Sequence, residues 1–238
     1  MRSLSILLLA VLGACTPVVQ QTVQPRPAVQ VIQQTDSPRL SERQAVDNFA
    51  FVVGRVEPMA EQLCRQRAPG RNCDFRIVVD DRPGQPINAY QTLDRSGRPI
   101  IAFTIPMIAE ARNRDEIAFV MAHEAAHHIE GHIARQQQNA ALGAVLLGTL
   151  AGALGSSDPS AVDTAQRLGA SVGARSYSKD FELEADALGT RIAAAAGFDP
   201  LKGAQFFFRI PDPGDRFLGT HPANADRLRT VQRVAAGL

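Results

Sequence analysis

The chain has no excess of charge of either sign: 25 basic and 24 acidic residues nearly cancel over 238 positions, with no basic block among them. Nucleic acid is therefore not an expected partner, because binding phosphates needs a concentrated positive footprint. Internal repeats are absent, which sets aside repeat architectures. The apolar run Leu4 to Leu12 is too short to cross a bilayer. Cysteine is scarce, with three residues, and the spacing of Cys64 and Cys73 fits neither a CxxC redox pair nor a zinc knuckle. Histidine is scarce as well, with five residues, so a patterned pair of them carries weight.

What is present begins at the N-terminus. Arg2 precedes the Leu4–Leu12 run, which has the length of a signal-peptide core. The run ends Leu12-Gly13-Ala14-Cys15, which resembles a bacterial lipobox. That resemblance implies cleavage before Cys15 and lipidation of Cys15, and Thr16 in the next position points to retention in the outer membrane, facing the periplasm. An ordinary secretory signal is the alternative, and either leads to export. We expect residues 1–14 to be the lipoprotein signal peptide. Residues 15–40 are then the lipidated cysteine and a flexible tether rich in Gln, Val and Pro, and residues 41–238 a single domain. Export leaves Cys64 and Cys73 as an even pair in an oxidising compartment, so a disulfide is expected, with Pro69-Gly70 supplying the turn. Closing so short a loop contributes about 2–3 kcal/mol.

The chemistry is concentrated in His123-Glu124-Ala125-Ala126-His127, an HExxH sequence inside a helical pattern. Ile117, Val120, Met121, Ala125 and Ile129 recur at helical spacing between Arg114 and Arg135, and Asn113 or Asp115 can cap the start. Residues four apart lie on one helix face, so His123 and His127 can offer two imidazoles to one Zn²⁺, a single ion per chain. Glu124, about 100° round the helix, lies beside that metal and can take a proton from its water. His128 and His132 form a second i,i+4 pair on a different face from His127, and we read both as solvated or core-edge residues.

A third ligand is still required. The metzincin extension HExxHxxGxxH would need Gly at 130 and His at 133, where this chain has Glu130 and Ile133. A carboxylate from a second helix is the alternative, and the Lys179–Ala196 pattern, ended by Gly197, supplies Glu182, Glu184 and Asp186. Glu182 and Asp186 share a face, whereas Glu184 lies about 200° from Glu182.

The stretch Ser178-Lys179-Asp180-Phe181-Glu182-Leu183-Glu184-Ala185-Asp186 resembles the gluzincin metallopeptidases that include the HtpX heat-shock protease and the CAAX prenyl protease, where SRxxExxAD is usual. Asn88-Ala89, the run Pro99 to Ile105, Gly197-Phe198-Asp199-Pro200, and Thr220-His221-Pro222 with Arg227 resemble further landmarks in the family order, so the resemblance covers about residues 41 to 238. It departs at Lys179, where Arg is usual, and at Tyr90 to Asp94, which lacks a glycine pair. The resemblance implies His123, His127 and Glu182 as zinc ligands and Glu124 as the catalytic base. Asp186 would stand behind a ligand histidine and fix its tautomer. It also implies that the loop carrying His221 approaches the active site. There His221 either hydrogen-bonds the oxyanion or plugs the open zinc position, the remaining alternative being a capping or surface histidine.

Short strands are expected at Phe75–Val79, Ile87–Thr92 and Pro99–Thr104, preceded by a helix over Ser41–Arg67 and followed by helices, including one from Pro222 to about Val234. The fold class is α+β: a mainly helical zincin-type domain with a small antiparallel sheet beside the zinc helix. Ala140 to Gly155, uncharged and rich in Ala, Leu and Gly, is read as a buried or lid-like helix, with membrane contact or partner packing as alternatives. The expected function is a zinc endopeptidase acting on unfolded or outer-membrane protein substrates, with Pro99–Thr104 as the candidate edge strand for an extended peptide. Envelope assembly machinery is a further candidate partner. The runner-up is a chaperone-like assembly factor with little proteolysis, and a metal-storage protein ranks lower because a closed site would recruit a fourth protein ligand.

Overall fold

The computed structural model describes residues 38–155, 158–176, 178–210 and 222–238. Helix α1 (Glu42–Arg67) starts at Ser41, whose hydroxyl accepts from the Gln44 amide while the Gln44 side chain returns to the Ser41 amide, a reciprocal capping box. A disulfide joins Cys64, in the last turn of α1, to Cys73, just before the sheet. The sheet contains β1 (Arg76–Asp80), β2 (Ala89–Leu93) and β3 (Pro99–Thr104) in the order β1-β3-β2. β2 pairs antiparallel with β3, Gln91 opposite Ile101, around the Asp94–Arg98 turn. β1 pairs parallel with β3, Val78 opposite Ala102.

The architecture is α+β and mainly helical, with a mixed rather than wholly antiparallel sheet. β3 is its centre, not an edge. The expectation that Pro99–Thr104 offers a free edge is therefore corrected: its main-chain groups are used on both sides, and the edges are β1 and β2. The near-continuous apolar run of β3 suits a strand covered on both faces.

Beyond β3 come α2 (Ile105–Glu110), α3 (Arg114–Glu130), α4 (His132–Ala153), α5 (Pro159–Ser176), α6 (Ser178–Ala195), α7 (Pro200–Gly203), a 3₁₀ turn (Ala204–Phe208) and α8 (Asn224–Ala235). α3 is the axis of the domain and is buried along most of its length. Val52 and Val56 of α1, Phe75, Ile101 and Phe103 at the sheet, and Leu188 and Ile192 of α6 form one cluster with its Ile117 and Met121. Each such side chain contributes about 1.5–3 kcal/mol by leaving water. A smaller cluster joins Phe119 of α3 to Phe207, Leu228 and Val231 and so seats α8. α3 and α6 come close at Gly189, where an added Cβ would lie 3.0 Å from the backbone of His123.

Two helix boundaries differ from expectation. The helix carrying HExxH does not run to Arg135. Gly131 adopts a left-handed conformation (φ 73°) and its amide caps the carbonyls of His127 and His128, after which a new helix begins at His132. At the other end, Pro222 lies before α8 rather than in its first turn. The Ala140–Gly155 stretch falls almost wholly in α4, but it is not buried. Leu142, Val145, Leu146 and Leu150 are exposed, and the fully buried positions of α4 are His132 and Gly148. Among the described residues no helix is long and apolar enough to cross a membrane.

Candidate metal centre

Asn113 caps α3 by accepting from the Glu116 amide, while the buried Glu116 carboxylate accepts from the Arg112 amide and from the Arg209 guanidinium. The first turn of α3 is thereby fixed to the segment after the 3₁₀ turn, and the helix presents His123 and His127 one turn apart. Their Nε2 atoms are 2.9 Å from each other. Each also lies 3.4 Å from the Glu182 carboxylate of α6, His123 from Oε2 and His127 from Oε1. These three side chains form a group able to hold a metal ion, their ligand atoms all lying within 4.8 Å of one another.

A cavity of about 630 Å³ opens over the group. Its walls include Asn88 and the following Ala89 to Gln91 of β2, Glu124 of α3, the first turn of α4 and Arg209. Burial pushes the Glu124 carboxyl above its ordinary value, against the pull of His123 and His127. Burial also disfavours a charge on His123, but hydrogen bonds to Asp186 and Glu182 outweigh it and raise the imidazole pKa to about 10. The cluster attracts positive charge strongly.

Behind His123, its Nδ1 is 2.9 Å from Oδ1 of the wholly buried Asp186. Asp186 is clamped in turn by Arg227 of α8, with Nε and Nη2 donating at 2.8 and 2.7 Å. The Arg227 guanidinium also lies over the Phe207 ring, 3.8 Å from its centroid. Burial would raise the Asp186 pKa, yet the charge and hydrogen bonds of Arg227 hold it below the ordinary carboxylate range. Arg227 is a site residue that the sequence marked only as a landmark.

The second histidine pair divides. His128 is a core-edge residue, bonded to the Asn72 carbonyl at 2.7 Å and set edge-on to Phe75. His132 is not solvated. It is 5% exposed, and its Nδ1 lies 2.8 Å from Nδ1 of His127. Its Nε2 lies 3.1 Å from Oε2 of Glu184, and its ring stacks on Phe181 at 4.7 Å. Glu184, which helical geometry turned away from Glu182, is paired with Arg135 at 2.5 Å. Cys15 and His221 lie outside the described residues.

Residues 50–235 match the family described as Peptidase family M48. The chain belongs to peptidase family M48. Among curated proteins, it is 33% identical over 139 residues to the beta-barrel assembly-enhancing protease of Escherichia coli O157:H7. The protein of that name from Yersinia pestis is 32% identical over 142 residues. Each alignment takes in 52% of this chain and 28% of the relative, so the M48 chain described here spans under a third of the relatives it matches.

Proposed function

We propose that this M48 chain is a zinc-dependent endopeptidase of the bacterial periplasm, in which His123, His127 and Glu182 hold one zinc ion and Glu124 is the general base. The observation that carries the reading is the convergence of two imidazoles and one carboxylate at the floor of a cavity that Glu124 also lines. Zinc fits this donor set. Ligands about 2.0–2.1 Å from a tetrahedral zinc stand about 3.3 Å apart, against edges of 2.9, 3.4 and 3.4 Å between the side chains here. When bound, zinc lowers the pKa of a water to about 7 and polarises the scissile carbonyl.

The chain's own groups do the rest. Glu124 takes the water proton on a carboxylate oxygen and later delivers it to the leaving amine nitrogen. The pKa rise produced by its burial brings it nearer the proton affinity that this shuttle needs. The free edge of β2, whose Ala89 to Gln91 line the cavity, offers main-chain groups to an extended peptide. Main-chain pairing tolerates many side chains, which suits unfolded or misassembled outer-membrane proteins as substrates and a role beside the envelope assembly machinery. Residues 1–14 would be removed at export, lipidated Cys15 would anchor the domain of residues 41–238 to the outer membrane through the 15–40 tether, and Cys15→Ser should move the protein to the soluble periplasmic fraction. His221 would reach the same site. Lower turnover in His221→Ala would identify an oxyanion donor, higher basal proteolysis a plug, and unchanged kinetics a structural residue.

The test is cleavage of an unfolded outer-membrane β-barrel protein by wild type and Glu124→Gln. The variant should retain zinc and lose roughly 10²- to 10⁴-fold in rate. Equal rates would remove Glu124 from the mechanism. The relatives' names speak of assembly as well as proteolysis, which favours a second reading as a chaperone-like assembly factor. That reading takes over if neither protein cleaves while both suppress aggregation of the same substrate.

A further inference from the structure

The two imidazoles of the metal centre are backed differently, and only one backing is direct. His123 faces a carboxylate, whereas His127 faces another imidazole, that of His132. At 2.8 Å between two ring nitrogens, one must donate and the other accept. The other end of His132 decides which. Its Nε2 lies 3.1 Å from Oε2 of Glu184, an oxygen that already accepts from the Arg135 guanidinium at 2.5 Å, and a carboxylate in such an ion pair only accepts. His132 therefore carries its proton on Nε2, its Nδ1 is the acceptor, and the shared proton belongs to Nδ1 of His127. The remaining nitrogen of His127, Nε2, is left with a free lone pair, and it faces His123 and Glu182.

This contact is built rather than incidental. On an unbroken helix, residue 132 would lie about 140° round from residue 127, on a different face. The left-handed Gly131 interrupts the helix and returns the His132 ring to His127. Phe181 stacks under His132, and Arg135 lies over the Phe181 ring, 4.2 Å from its centroid, before reaching Glu184. The imidazole is withdrawn from water with both nitrogens partnered.

We propose that His132 is a positioning residue for His127: with Glu184 behind it, it holds His127 in the tautomer and orientation that present Nε2 to the metal. This rests on the zinc reading of the site. The test compares wild type with His132→Phe and His132→Asn. Phenylalanine keeps the stack on Phe181 but offers no acceptor; asparagine places an acceptor oxygen where Nδ1 stood. Zinc affinity is read by chelator competition, and the Nδ1 proton of His127 by nitrogen-15 NMR of labelled histidine. His132→Phe should bind zinc roughly 10- to 100-fold more weakly, the range for groups that orient metal ligands, and should lose the hydrogen-bonded Nδ1 proton signal. His132→Asn should recover most of the affinity and the signal. Wild type that takes up no zinc overturns both this proposal and the metal reading. Wild type that binds zinc no better than His132→Phe overturns the positioning role alone. Equal losses in both variants, matched by equal losses in metal-free thermal stability, also overturn it, because His132 would then act only through packing.

Discussion

Both backings draw their carboxylate from α6 and their arginine from elsewhere, yet they sit in different surroundings. Asp186 and Arg227 are wholly interior, and the pair exists only because α8 docks through Phe207, Leu228 and Val231. Glu184 and Arg135 are each about two-fifths exposed, and they reach His127 through His132 across a local backbone break. One arrangement depends on tertiary assembly and a low dielectric, the other on a single glycine and a stacked ring. Interior ion pairs are costly to break from one side, while partly solvated pairs add little to stability but can still orient a neighbour.

The contrast is sharpest for Asp186→Ala. It removes the nearest anion of the buried Arg227, leaving the Glu182 carboxylate 3.7 Å away, and should cost about 3–5 kcal/mol in urea unfolding of the metal-free protein. A loss below about 1 kcal/mol would erase the difference between the two sides. Glu184→Gln comes next. It should lower zinc affinity toward the weak end of the roughly 10- to 100-fold range while changing stability by no more than about 1 kcal/mol. A stability loss equal to that of Asp186→Ala would break the comparison.

The smallest effect is expected with pH. Arg135 holds Glu184, and Arg227 holds Asp186 against its burial, below their ordinary values. Carboxylates depressed in the folded state stabilise it above the unfolded pKa, and the contribution fades as pH falls through the folded value. The stability from both should therefore stay flat from pH 7 to about 5 and decline only below the ordinary carboxylate range of about 4. A rise in the stability of metal-free wild type as pH falls from about 7 to about 5, absent from the Glu184→Gln or Asp186→Ala protein, would show that the carboxylate removed is raised rather than depressed.

Legibility in the sequence followed the range of each interaction. The juxtaposition of His123 with His127 needs only the helical repeat, and the Ser41, Asn113 and Gly197 boundaries need only capping chemistry, so local pattern sufficed. The partner order of the strands is not local. Pro99–Thr104 read as a strand, but its place between β1 and β2 was signalled only by its unbroken apolar run. Arg227 lies 41 residues from Asp186, and nothing in periodicity joins them. His132 was misplaced because a helical wheel carries no information past a left-handed residue, and Gly131 was the available signal. Ala140–Gly155 is apolar enough to suggest burial, yet helix α4 leaves Leu142, Leu146 and Leu150 outside.

The seam at Gly189 also sets the clearance between the helices that carry His123 and Glu182. A methyl group there would meet the main chain of His123, which cannot swing aside as a side chain does, so α6 would have to retreat by a few tenths of an ångström. Glu182, Glu184 and Asp186 all ride on α6. One hydrogen atom at position 189 thus acts as a spacer for Glu182 and for the carboxylates behind His123 and His127 together. A change there detunes every arm of the centre at once without altering a single functional group.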